Sequence, residues 1–366
     1  MPHPLTRRRF LGNISAAAAL ALAPRFARAQ DSVKKLGVAL VGLGNYSTKE
    51  LGPALRLTQS CRLAGVVTGN PAKGAQWARD YGFPEKNIYG YDTMARLADN
   101  PDIDIAYIVT PNGLHAEHAI AAARAGKHVI IEKPMANTVA ECDAILAACA
   151  ATNVRHSVGY RLFFDPYHGE LRRLAREEDF GPFMNMKGKR AFVMGTWRWR
   201  ADKKLAGGGP LMDLGVYLIQ GACMAKNGLA PARVAAEELP KTRPEISKDT
   251  EETIRWTMEW ADGARAEFST SYQDSGDTFR AEAARGWIDF KQKAFTYRGV
   301  VCETSRGTLN YGPFVNQQAL QMDDFAQCIA TGRATPVPGE MGRRDLTIIE
   351  AVYRAAASGQ QERVKA

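Results

Sequence analysis

Between Leu36 and about Gly159 short apolar runs alternate with helix-length amphipathic segments, and no other feature limits the possible folds so sharply. The runs are LGVALVG, LAGVVT, IDIAYIVT, KHVIIE and VRHSVG. Between them stand alanine-rich stretches such as HAEHAIAAARA and VAECDAILAACAA, with the spacing of helices packed close to a sheet. This order predicts a parallel sheet with helices on both faces, a doubly wound (Rossmann) domain over residues 31–159. Near residue 160 the period changes. After a helical segment, DPYHGELRRLAREEDFG, alternation takes over: in TIRWTMEW, Ile254, Trp256, Met258 and Trp260 share one face. FMNMKGKRAFVM, ARAEFSTSY and FRAEAARGWIDF read likewise, before two closing helices near 316–331 and 343–358. Residues 160–366 are therefore expected to form an open, mainly antiparallel sheet with helices on one face. The whole chain reads as α/β plus α+β.

The first thirty residues read as an export leader rather than as part of the fold. Thr6-Arg7-Arg8-Arg9-Phe10-Leu11 is a twin-arginine pattern, followed by the apolar run NISAAAALALA and a small-residue cleavage site at Ala27-Arg28-Ala29. The apolar run is far shorter than the roughly 20 residues a membrane span requires. Because that route carries folded proteins, the expectation is a periplasmic protein that loads its cofactor before export and keeps no membrane attachment after cleavage. The formal charge of +9 includes five leader arginines and no leader acid, so nine less five leaves +4, too little to imply a nucleic-acid partner. Six cysteines, at 61, 142, 149, 223, 302 and 328, show no framework spacing. Cys142 and Cys149 fall on one predicted helix, about 10.5 Å apart and beyond disulfide reach, so free, buried thiols are expected. No CxxC, HExxH or histidine cluster suggests a metal.

Three stretches carry chemistry. VALVGLGNYS ends the first predicted strand with Gly42-Leu43-Gly44-Asn45-Tyr46, where missing side chains let a pyrophosphate approach backbone N–H groups at the next helix N-terminus. Ser47 stands where the dinucleotide fingerprint has a third glycine. The second strand ends in Thr68-Gly69-Asn70 with no acid to hold a ribose 2′-hydroxyl, and Lys73 close behind favours a 2′-phosphate, hence NADP over NAD. KHVIIEKPMA then sets Glu132 and Lys133 at the carboxyl end of a later strand, where open α/β sheets bind ligands. AGGGPLMDLGVY adds three glycines and then Asp213 and Tyr217, four residues apart and so on one face of a helix.

GLGNYS, TPNGLHAEHAIAAARAGKHVIIEKPMA, GYRLFFDP and WRADKKLAGGGPLMDLGVY together resemble the glucose–fructose oxidoreductase branch of the Gfo/Idh/MocA family, which includes periplasmic aldose–aldose oxidoreductases. The resemblance covers nearly all of residues 36–358. It implies tightly bound NADP(H) and the alternate oxidation of one sugar and reduction of another. It makes Lys133, Asp213 and Tyr217 the catalytic group and sets those three with Tyr160 against the sugar. Arg161 falls near the ligand as a cofactor-binding residue, and Trp199 and Arg200 fall against the nicotinamide end. Thr110, Pro111, Asn112 and His115, opening a helix after a strand, are expected to line the cofactor, and Gly207, Gly208 and Gly209 to let the backbone enter the cleft without obstruction.

The implied roles have physical reasons. Tyr217 would take the C1 hydroxyl proton as hydride leaves C1, yet a free tyrosine with pKa near 10 is a poor base at neutral pH. Lowering it by about three units needs roughly 4 kcal/mol of phenolate stabilisation, the kind a nearby Lys133 cation supplies. Asp213 would orient a sugar hydroxyl, its charge limiting how far the phenol can fall. Two departures from the branch matter. Where it has two lysines after the second strand this chain has Lys73 and Ala75, and where it has a long proline-rich arm only Gln30 to Lys35 precede the first strand. The expected assembly is thus a homodimer through the open sheet. Two rival functions stay open: an NADP-dependent sugar dehydrogenase that releases its cofactor each turnover, and a non-catalytic NADP-binding sugar sensor.

Overall fold

A computed structural model describes residues 35–365, so the leader assigned to residues 1–30 lies outside the described residues. Strands β1 Leu36–Val41, β2 Cys61–Val67, β3 Ile88–Tyr89, β4 Ile105–Ile108, β5 His128–Ile131 and β6 His156–Val158 form a parallel sheet in the order β3-β2-β1-β4-β5-β6. Helices α1 Gly52–Leu55, α2 Pro71–Tyr81, α3 His115–Arg124 and α4 Val139–Ala151 connect them. Strands covered on both faces need apolar side chains in both directions, which is why the sequence shows runs rather than alternation. Strand order reverses between β1 and β4, and at such a switch point a crevice opens beyond the carboxyl ends of the strands.

The second half begins with α5 Pro166–Glu177, capped by Asp165 accepting the His168 amide at 3.0 Å. It continues through β7 Phe183–Ala191, α6 Lys203–Ala206, α7 Val216–Ala225, β8 Arg233–Glu238, β9 Thr253–Glu259, β10 Arg265–Ser271, β11 Gly276–Ala283, β12 Gly286–Gln292, β13 Val301–Thr304 and β14 Gly307–Thr308, then α8 Gln317–Thr331, α9 Gly339–Ser358 and β15 Glu362–Arg363. Among the described residues these strands form one sheet, β14-β13-β12-β11-β7-β10-β9-β8-β15. Its pairings are antiparallel except β7 with β10, so the sheet is mixed at its centre. Ile254, Trp256, Met258 and Trp260 are buried, whereas Arg255 and Thr257 face outward, as period-2 alternation requires.

Helix α8 leaves its sequence neighbours. Ala319, Met322, Phe325, Ala326 and Cys328 pack in one cluster with Val38, Leu40, Leu63 and Ile105 of the first sheet. A second continuous cluster joins Ile131 and Val158 to Phe183, Trp256 and Leu346. The two sheets therefore share core rather than owning one each. All six cysteines are buried and unpaired. Among the described residues no helix is long and apolar enough to cross a membrane, and no group of three or more His, Cys, Asp or Glu could hold a metal ion.

Phe325→Ala should cost about 3–5 kcal/mol, and urea denaturation should show that loss in the same cooperative transition as Leu40→Ala. Two separable transitions would mean that α8 is not part of the first core.

Candidate active site

At the phosphate end, Gly42 takes φ 101°, a left-handed conformation that favours glycine, and donates its N–H to Val67 O at 2.9 Å. A side chain on Gly44 would meet no atom within 4 Å, so the turn leaves open space against its backbone. Ser47, fully buried, donates its hydroxyl to Gly42 O at 2.6 Å and closes the turn that a third glycine would otherwise complete. Asn70 caps α2 by accepting the Lys73 amide at 3.0 Å, its own amide resting on Thr68 Oγ1 at 3.2 Å. Lys73 Nζ donates to Leu43 O, bringing its charge to the glycine turn. Gly69 lies against the Tyr91 ring, which stacks on His118 at 4.9 Å. Bare backbone, a cation and no acid fit a dinucleotide pyrophosphate.

Beyond this turn lies a cleft of about 490 Å³. The first half contributes Asn45, Tyr46, Thr110, Asn112, His115, Glu132 and Lys133 to its walls, the second Arg190, Trp199, Arg200, Asp213, Tyr217 and Tyr297. Gly42, Leu43, Gly44, Thr68, Gly69, Asn70, Lys73 and Pro111 lie outside this lining, at the strand ends around it.

Lys133 Nζ sits 4.4 Å from the Tyr217 ring centre, donates to Asp213 O at 2.8 Å and stands 3.6 Å from Asp213 Oδ1. The Arg161 and Arg190 guanidinium groups lie 5.4 and 4.5 Å from the same ring. Burial alone would push the Tyr217 phenol up; the Lys133, Arg161 and Arg190 charges overcome it and hold the pKa below the ordinary tyrosine value, against Glu132. Asp213 is likewise desolvated, yet Arg200, at 3.2 Å, and Lys133 keep it ionised below the usual carboxylate range. Tyr272 donates to it at 3.3 Å. Glu132 is a carboxylate that opposes ionisation of Tyr217, while the charge of Asp213 is matched by two cations.

Glu132 accepts Tyr107 Oη–H at 2.7 Å, and Gln321 of α8 donates to Tyr107 Oη at 2.9 Å. Burial raises the Glu132 pKa, with the Tyr107 hydrogen bond and Lys133 opposing. His115 stands between Thr110 O at 2.8 Å and Pro134 O at 3.0 Å. Its burial lowers the pKa to about 4, so the neutral ring donates to one carbonyl at a time and ties the end of β4 to the Lys133–Pro134 corner, whose peptide is cis. Asn112 donates to Ala206 O at 3.0 Å and joins the two halves at the cleft edge. Arg200 lies 4.5 Å over the Trp199 ring.

Several expectations change. Tyr160 does not face the cleft: its hydroxyl donates to Asp345 Oδ2 of α9 at 2.6 Å, because that fully buried carboxylate needs donors. Arg161 does not line the cleft either but lies buried beneath Tyr217 and Tyr297, held by Phe295 O and Gln317 Oε1, each at 2.5 Å. The three glycines serve packing. Gly207 takes φ 79° at the end of α6, a side chain on Gly208 would strike Tyr353 Oη, and one on Gly209 would strike Glu251 O. Glu251, also buried, accepts the Gly209 and Leu211 amides at 2.9 Å each and Tyr353 Oη–H at 3.0 Å, holding the entry to the Asp213 turn.

Sequence reasoning missed Arg190, Tyr272, Tyr297 and Glu251. Arg190 had a signal: along β7 it follows Met186 and Gly188 at inward positions, where a charge is out of place. Tyr297 lies in the loop after β12, where no periodicity marks it.

A glycine turn at the strand-order switch, facing a cation-flanked tyrosine, defines an oxidoreductase that uses a nicotinamide dinucleotide. The comparisons agree. Residues 36–160 match the oxidoreductase family, NAD-binding Rossmann fold, and residues 168–288 match the GFO/IDH/MocA C-terminal domain. The crystal structure of aldose-aldose oxidoreductase from Caulobacter crescentus complexed with glycerol is 37% identical with a TM-score of 0.87, over 90% of this chain and 100% of that one. D-xylose 1-dehydrogenase [NADP(+)] of Haloarcula marismortui is 24% identical over 87% of this chain and 90% of its own. Levoglucosan dehydrogenase of Pseudarthrobacter phenanthrenivorans is 34% identical over 42% of this chain and 40% of its own. The chain belongs to the Gfo/Idh/MocA family and is an NAD(P)-binding oxidoreductase.

A phenolate works as a base above its pKa and is lost as pH falls through it, so turnover that relies on Tyr217 as base should decline on the acid side with the pKa of Tyr217. Removing a cation raises that pKa. Lys133→Met and Arg190→Met should each move the acid limb of kcat/KM to higher pH, and a limb that stays in place in both would show that another group titrates.

Proposed function

We propose that this protein is an NADP(H)-retaining sugar oxidoreductase that oxidises an aldose at C1 to an aldonolactone and reduces a second sugar to its alditol. The observation that carries this reading is the buried Tyr217 phenol beneath Lys133, with Arg161 and Arg190 beside it. NADP(H) bound in the cleft supplies hydride acceptance and return at the nicotinamide C4. Tyr217, as phenolate, takes the C1 hydroxyl proton while the C1–H electron pair leaves, and the carbonyl of the lactone forms. In the return direction the protonated Tyr217 gives that proton to the carbonyl oxygen of an open-chain sugar. Lys133 stays against the ring in both directions, stabilising the phenolate in one and restoring it in the other. Asp213, fixed by Arg200 and Tyr272, keeps acceptor capacity for a sugar hydroxyl, and Trp199 offers an aromatic face.

NADP over NAD is supported by the missing acid after β2 and by Lys73 at the glycine turn. A relative whose name specifies NADP(+) supports it further. Ala75, in place of a second lysine, favours instead the reading in which cofactor leaves each turnover. Reduced-nicotinamide absorbance that stays with the purified protein through gel filtration, and rises when a single aldose is added, is the outcome expected for retention; cofactor separating from protein on the column would sink it. We further assign the outward face of the second sheet, with Arg255, Thr257 and Glu267, to a second copy of the chain, and the leader to periplasmic export.

Tyr217→Phe should leave NADP(H) bound and lower turnover by at least about 100-fold, the scale of general-base catalysis. Near-normal turnover with bound cofactor would remove the assigned base.

A further inference from the structure

A separate cavity of about 280 Å³ lies between α5, α7 and α9 and shares no lining residue with the active cleft. Its walls carry three arginines and no acid. Two of these are already committed: Arg344 binds Asp345 Oδ1 at 2.6 and 2.8 Å, and Arg176 reaches outward to Glu177 at 3.1 Å. Arg172 is not. One of its nitrogens donates to Phe163 O at 2.6 Å, its plane stacks on the Phe163 ring at 4.3 Å, and its Nε is buried with no partner. Burial lowers its pKa, and the neighbouring charge of Arg176, alike in sign, adds to that. Gln220 of α7, 1% exposed, also lines the cavity, and its Nε2 is buried without a partner. Turning its amide by 180° presents either end, so the group offers a donor to whatever enters.

An uncompensated guanidinium and an unpartnered amide beside a cavity are costly unless something pairs with them. A planar fork of donors matches the two oxygens of a carboxylate or phosphate. Met224 and Met341 supply adaptable apolar surface beside it, which suits a ligand whose oxyanion is borne on a hydrocarbon body. We propose that this cavity is a second ligand site, which takes a small oxyanion, carboxylate or phosphate, carried on a partly apolar body, with Arg172 and Gln220 as its recognition pair. The site stands apart from the function assigned to the cleft, since neither residue lines that cleft.

Calorimetric titration of the full-length protein with butyrate, and separately with monobutyl phosphate, tests this. At least one should bind saturably with a Kd of about 1 mM or tighter, and the tighter of the two identifies which oxyanion the site takes. Arg172→Met and Gln220→Leu should each weaken that binding at least about tenfold, Arg172→Lys should restore part of it, and turnover without added anion should match the parent protein. Should Arg172→Met fail to fold, Gln220→Leu and Arg172→Lys carry the comparison. No saturable binding by either probe, or binding undiminished in the folded variants, would overturn the assignment.

Discussion

A phenol enclosed by protein loses the water that would stabilise its anion, and it ionises only where surrounding charge outweighs that loss. Tyr217 is 8% exposed and meets three cations, each from a different segment: Lys133 after β5, Arg161 after β6 and Arg190 on β7. Preference for the anion falls off as each cation moves away, so the lowering requires that no cation drift. Each cation is accordingly anchored elsewhere. Lys133 holds Asp213 O, Arg161 holds Phe295 O and Gln317, and Arg190 pairs with Asp277 at 2.7 Å. The environment of the Tyr217 phenol thus depends on segments from both halves of the chain keeping register.

That register is kept by elements whose sequence position hides their role. Helix α8 buries Phe325 and Met322 against the first sheet, gives Gln317 to Arg161, and gives Gln321 to the Tyr107–Glu132 pair. One helix therefore braces a cation beside the Tyr217 ring and the carboxylate that opposes its effect. Glu251 does a similar service for Asp213: its buried carboxylate accepts two amides at the start of the turn that carries the aspartate, where the helix dipole favours negative charge. Burial pushes the Glu251 pKa up, and those backbone donors oppose the rise.

The first sheet was legible because doubly buried strands write themselves as apolar runs; β3, two residues long, was not, since it is too short to show any period. The fold of the second sheet was legible in TIRWTMEW, but the parallel pairing of β7 with β10 depends on contacts between distant segments that alternation does not encode. That Lys133, Asp213 and Tyr217 come together at one cleft was readable because their local surroundings are unusual. The glycine trio was read for the wrong reason: Gly207 is fixed by its left-handed backbone, and what forbids side chains on Gly208 and Gly209 is Tyr353 and Glu251, both far away in sequence. Tyr160 was misplaced because its partner, Asp345, lies on a helix that no local pattern connects to it.

Arg161 lies between two phenols, 5.4 Å from the Tyr217 ring and 4.3 Å from that of Tyr297. One shared cation cannot stabilise two adjacent anions, so a further influence must break the tie. Lys133 and Arg190 face Tyr217. Tyr297 stacks on Tyr46 instead, and its pKa is raised by burial and then by the charge of Tyr217. The environment thus drives the two pKa values in opposite directions, which suits one ring to the base proposed above and the other to a neutral hydroxyl at the cleft wall. Arg161, held charged by the tyrosines around it despite burial, lowers both phenols, and the negative charge of Tyr217 opposes ionisation of Tyr297.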